Sequence, residues 1–166
     1  MARFLKKHKQ EIGRSPDELL FYGERKIENV FLRIIDFDPN NLTEDAVSTV
    51  NDILKYQDKD SVTWFNIDGL HNIAIMEEIA RGFKLDNLIL ADVMRTQSRP
   101  KVQEHDNCIF VSIKMLRFED ETNRVRVENL SLIITESVLI TFQERKGDVF
   151  EPVRERIRKQ KKRIRN

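Results

Sequence analysis

The sequence predicts an α/β domain: a mixed β-sheet with an antiparallel meander, sandwiched between helical layers. Three observations lead there. Early in the chain, runs rich in β-branched and aromatic residues alternate with helical spacing of apolar residues. Later, Asn107–Phe118, Val125–Thr135 and Ser137–Gln143 follow one another as three strand-like runs with short connections. The first of these is apolar on both sides at its start, with Ile109, Val111, Ile113 and Met115 on one and Cys108 and Phe110 on the other. A strand buried on both faces requires helices above and below its sheet.

Taken in order, residues 1–17 read as a flexible basic arm, closed by Gly13 and the Ser15-Pro16-Asp17 turn signal. The α/β domain spans residues 18–148. Asn29–Phe37 (NVFLRIIDF) reads as a strand ending at the turn cluster Asp38-Pro39-Asn40. A helix is expected from Asn41, with Glu44 completing a capping box and Ala46, Val47, Val50, Ile53 and Leu54 at helical spacing. Ser61–Ile67 (SVTWFNI) is the next strand, broken by Asp68-Gly69. Asn72 caps a helix carrying Ile73, Met76, Ile79, Ala80 and Phe83 on one stripe. A shorter helix covers roughly Asp86–Met94, and Pro100 forbids its continuation.

Residues 149–166 read as the start of a long helical region. Val149, Phe150, Val153, Ile157 and Ile164 share one stripe, and Pro152 fits the first turn, where its missing N–H costs nothing. The pattern stops at Asn166 without the punctuation that closes a helix, so the expectation is a helix cut short.

Composition narrows the class. The chain has 166 residues, 40% hydrophobic and 34% charged, enough to bury a core without a disulfide or structural metal. Its one cysteine, Cys108, excludes an internal disulfide and a four-cysteine zinc cage. No apolar run approaches the roughly 18 residues of a membrane span, and the basic start has no apolar stretch behind it. The net charge of +1 hides an asymmetry. Residues 1–14 carry five Lys/Arg against Glu11, and residues 153–166 carry eight against Glu155. The body between them holds 16 basic and 26 acidic side chains. Such a body repels nucleic acid and copies of itself and attracts divalent cations.

Among motifs, no phosphate-binding glycine loop, HExxH or GxSxG is present. His8, His71 and His105 lie in unrelated places. His105 and Cys108 have the spacing of half a metal site or a Cys–His pair, against which stands a simply packed cysteine. Trp64–His71 could line a pocket, and a free-standing cytosolic enzyme would use His71 and Asp68 there. The basic segment Val153–Asn166 is open to three readings: a nucleic-acid-binding module, a helix descending to an anionic membrane surface, or a solvated helix. It has no interleaved aromatic residue for stacking on bases. No catalytic and no cofactor-binding residue emerges.

Leu85–Lys101 (LDNLILADVMRTQSRPK) resembles the motif of the CorA family of magnesium transporters, with Gln97, Arg99, Pro100 and Lys101 around an inserted Ser98. The similarity continues through Ile109–Met115, Glu128–Ile134, Phe142-Gln143-Glu144 and Gly147–Arg158, and includes Trp64–His71. The resemblance implies the cytoplasmic regulatory domain of a magnesium or cobalt transporter, cut before its stalk and two membrane-spanning helices. A zinc-transporting relative is the alternative within the family. It implies a location on the cytoplasmic side of the cell membrane, a pentamer in the full-length protein, contact with the membrane through the missing part, and no nucleic acid. It also implies regulatory Mg²⁺, with Co²⁺ as a further ion, bound between neighbouring copies. Asp92 matches the family's interfacial metal ligand, and its partner carboxylate would lie beyond Asn166. Ala91 stands where a second acid often precedes it, so the isolated chain should hold a weak half-site or none.

Overall fold

The computed structural model describes residues 15, 17–57, 59–159 and 162–165. Seven strands form one sheet: β1 (Phe31–Phe37), β2 (Leu42–Val47), β3 (Val62–Asp68), β4 (Lys101–His105), β5 (Cys108–Glu119), β6 (Arg124–Ile134) and β7 (Val138–Gln143). Their spatial order is β2-β1-β3-β7-β6-β5-β4. Every neighbouring pair is antiparallel except β3–β7, so the sheet is mixed, as the sequence predicts. Four helices join it: α1 (Asn51–Leu54), α2 (Ile73–Gly82), α3 (Asn87–Val93) and α4 (Glu151–Arg158). A 3₁₀ turn at Lys162–Arg165 follows α4. The basic arm lies outside the described residues, apart from Ser15 and Asp17.

Strand alternation sorts the apolar residues into two cores. Leu32, Ile34, Phe65, Ile67, Ile140 and Phe142 point to the face covered by α1, α2 and α3. Ile35, Phe37, Trp64 and Leu139 point to the opposite face, where Phe150, Val153, Ile157 and Ile164 from the α4 region meet them. The cap expected at α2 is formed, and α3 is capped as well. Asn72 Oδ1 accepts from the Ile75 N–H at 3.3 Å, and Asp86 Oδ1 from the Leu88 N–H at 2.8 Å.

Two expectations are corrected. Leu42–Val47 is a strand, not the first half of a helix. Asp38 closes a hairpin: its Oδ1 accepts from the N–H groups of Asn40 and Asn41 at 2.6 and 2.7 Å. That turn returns the chain alongside β1, and ladder pairing outweighs the helical spacing of a half-exposed segment. A reciprocal pair forms instead at Thr49 and Asp52, whose side chains each accept from the other's N–H across the start of the short α1.

The second correction concerns β5. Its Cys108 and Phe110 are buried, but Ile109 and Ile113 on the other face are 40% and 41% exposed. On that side the cover extends over β7 to β6, where Leu130 is buried and Leu132 lines a cavity with Phe150, Val153 and Ile157, and it ends before Ile109 and Ile113 of β5. β4 itself has no apolar alternation; as a short edge strand rich in polar and charged residues it leaves little sequence signal.

Candidate functional site

α3 is short and mostly buried: Ile89, Leu90, Ala91 and Val93 face the core. Leu88 and Asp92, one turn apart, remain on the outer side. The chain leaves α3 through Arg95 and Thr96, which Tyr22 ties down by backbone bonds, and enters β4 just after Pro100. Lys101, the first residue of β4, thereby comes back over α3. Its Nζ donates to Asp92 Oδ2 at 2.5 Å, the carboxylate's one side-chain partner among the described residues. The two side chains are 30% and 27% exposed. The same ammonium lies 5.4 Å from the centre of the Phe110 ring, which adds a cation–π attraction. Ala91 is only 4% exposed, so an acid there would face the core and not stand beside Asp92. Among the described residues, no group of three or more His, Cys, Asp or Glu is arranged to hold a metal ion.

The Trp64–His71 segment does not form one pocket. Asp68 lines a cavity of about 340 Å³ with Arg33, Lys146, Asp148 and Arg154. His71 lines a separate, shallower one with Arg25 and Glu28, and its Nε2 lies 3.2 Å from the Glu28 carbonyl. Burial pushes the Asp68 carboxyl above its ordinary value, opposed by a hydrogen bond from Asn66. Around it runs a buried polar network. Asn66 Oδ1 accepts from Thr141 and from Gln143, each at 2.9 Å, and Gln143 also donates to Asp148 at 3.2 Å. The Arg154 guanidinium grips Asp148 through both terminal nitrogens and lies 4.7 Å from the centre of the Trp64 ring. These contacts seat α4 on the sheet.

His105 and Cys108 are directly paired across the β4–β5 hairpin. Cys108 is 5% exposed, and burial raises its thiol above the ordinary value, the opposite of an activated thiolate. A disulfide-exchange reagent added to native protein should therefore label Cys108 far more slowly than in denaturant. Rapid labelling without denaturant would restore a reactive thiol.

Among the described residues, four basic side chains of this end are engaged with their own chain. Arg154 is paired as above, and Arg158 binds both oxygens of Glu44 at 2.7 Å. Arg165 donates to the carbonyls of Asp38 and Asn41, Lys159 pairs with Glu155, and the remaining tail residues include side chains outside the described ones. No helix among the described residues is long and apolar enough to cross a membrane.

A model of the CorA-like Mg²⁺ transporter protein family matches residues 59–166. The chain belongs to that family. It is 32% identical over 146 residues to the cobalt/magnesium transport protein CorA of Thermotoga maritima, covering 88% of this chain and 41% of that protein. In fold it resembles the soluble domain of CorA from Methanocaldococcus jannaschii, with a TM-score of 0.52, 16% identity, 79% of this chain and 48% of that one covered. It also resembles full-length CmaX, with a TM-score of 0.61, 11% identity, and 81% and 41% covered. The chain thus spans less than half the length of these relatives.

Asp92, Lys101 and the Asp148–Arg154 pair all lie inside the segment matched to the CorA family. Sequence reasoning singled out Asp92 and quoted Lys101 within the motif, but did not connect them. The available signal was the proline just before Lys101, which turns the chain back against α3 instead of prolonging it. Asp148 and Arg154 fall within the similar stretch Gly147–Arg158, and their spacing across the start of α4 is the signal that was there.

Proposed function

We propose that this chain is the cytoplasmic, divalent-cation-sensing part of a CorA-type magnesium/cobalt transporter that works as a homo-oligomer, a pentamer in the full protein. The observation that carries the reading is Asp92: a carboxylate on the outer side of α3, beside the exposed Leu88, on the one flank of that helix that the core does not use. Support comes from membership of the family and from the name of the Thermotoga relative. Exposed apolar residues of β5 and β6, such as Ile113, Phe118 and Val127, fit a domain that packs against further polypeptide.

The donor chemistry suits the ion. Mg²⁺ takes hard oxygen ligands, keeps several of its waters, and is held by one or two carboxylates. This chain supplies one, and a neighbouring copy would supply the other. A shared site of two carboxylates is weak, as a sensor of an abundant ion requires. Acidic bodies packed in a ring repel one another, and a cation between them offsets that repulsion. The ion then favours the closed assembly by its differential affinity for closed and open states.

Limited proteolysis of the whole transporter across a Mg²⁺ titration tests this. Asp92→Asn should raise the concentration giving half-maximal protection on the order of tenfold or more. Protection at unchanged concentrations would remove Asp92 from the sensor.

A further inference from the structure

Building on the sensor reading of Asp92, we infer that Lys101 is a tethered competitor for the divalent cation and sets the concentration at which the sensor responds. The ammonium sits 2.5 Å from Asp92 Oδ2, in the position a metal ion or one of its ligand waters would take on that oxygen. A cation reaching Asp92 must either displace Lys101 or bind beside a fixed positive charge. Both raise the ion concentration needed.

The competitor is held in place. Lys101 opens β4, its backbone is registered opposite Ser112 of β5, and the Phe110 ring lies under its ammonium. It therefore stays at high local concentration beside Asp92. The grip is nonetheless modest. Both side chains keep more than a quarter of their surface in water, and ion pairs of this exposure hold only weakly. A divalent ion drawn by a second carboxylate can overcome that. When the ion leaves, Lys101 neutralises Asp92, so the empty interface carries less repulsion than two bare carboxylates would. Lys101 thus tunes the threshold without being a ligand. Its place beside Asp92 is taken in turn by the ammonium or by the ion.

The test uses the whole transporter and the same proteolysis titration with Mg²⁺. Lys101→Met should lower the half-maximal concentration roughly two- to fivefold, the range that a pair of this exposure allows. Lys101→Arg, which keeps the charge, should leave it near wild type. A thermal melt of each variant checks that β4 remains folded, and Lys101→Gln serves where the methionine variant does not. An unchanged or raised midpoint in both neutral variants overturns the inference. So does a lowered midpoint that persists in the Asp92→Asn background, because the lysine would then act elsewhere. Asp92→Asn alone tests the underlying sensor: if it is silent, that reading fails, and if it acts while the neutral Lys101 variants are silent, only the competitor role falls.

Discussion

Asp148→Ala is expected to cost the fold about 3–5 kcal/mol, because it strands the Arg154 guanidinium beneath α4 without its counter-charge. Both side chains of the pair are 3% exposed, so water cannot replace the lost partner. Asp148 also accepts from the Phe150 N–H at 2.9 Å at the start of α4 and from Gln143 at the edge of the sheet network. One substitution therefore removes the helix's anchor, its first-turn acceptor and a tie to β7. For a chain of this length the melting temperature should fall by about 10 °C. The single tryptophan reports the event directly, since Trp64 lies edge-on to Phe150 at 5.8 Å and under Arg154. Its emission should change at lower denaturant than the far-ultraviolet circular dichroism does, and coincident transitions with unchanged stability would refute the anchor.

The pH dependence has a definite sign. Burial alone raises the Asp148 carboxyl, but hydrogen bonds from Arg154 and the Phe150 N–H, with the Arg154 charge, outweigh it and hold the group below its ordinary 3.8. Glu44 is likewise held below its usual value by hydrogen bonds from Arg158, against a smaller effect of burial. Carboxyls depressed in the folded state stabilise it above their unfolded values and lose that contribution as pH falls through the folded ones. The docking of α4 should weaken below about pH 4, with Trp64 emission as the probe. Asp68, raised by burial, works in the other direction, favouring the fold while protonated and giving that up as pH rises through its folded value.

Phe65→Ala should be comparably severe for a different reason. Phe65 is fully buried in β3, flanked in the sheet by Ile34 and Ile140, and its ring stacks on Phe83 with centres 6.2 Å apart. Truncating a buried phenylalanine costs about 3–5 kcal/mol in lost transfer energy and cavity. Because β3 joins the two halves of the sheet and faces the α1–α3 core, the loss should appear as one cooperative transition in which Trp64 emission and circular dichroism coincide. Phe65→Leu should recover much of it. A loss below about 1 kcal/mol would mean that this core relaxes around the gap.

The two substitutions also separate what periodicity could reveal from what it could not. Phe65, Met76, Ile79 and the meander of β5, β6 and β7 stand out along the chain because burying a strand or a helix imposes a repeat on its side chains. The cap Asn72 is equally visible, because it satisfies an N–H group only three residues away. The motif around Asp92 is legible as a string of residues in order. In each case the interaction is local, or its signature is.

Partners distant in sequence left no such trace. Leu42–Val47 has apolar spacing compatible with a helix, and only the Asp38 turn and the waiting edge of β1 make it a strand. Glu44, expected to cap a helix, binds Arg158 over a hundred residues later. Ala91 looked like a missing ligand until the helix turned it toward the core, and Asp92 looked like a bare carboxylate until Pro100 brought Lys101 back over α3. Hydrophobic repeat and capping chemistry are written residue by residue, so the order of elements and the family motif could be read directly. Which charge meets which, and which flank of the sheet stays open, depends on how distant segments pack together, and that is settled only when the chain has closed on itself.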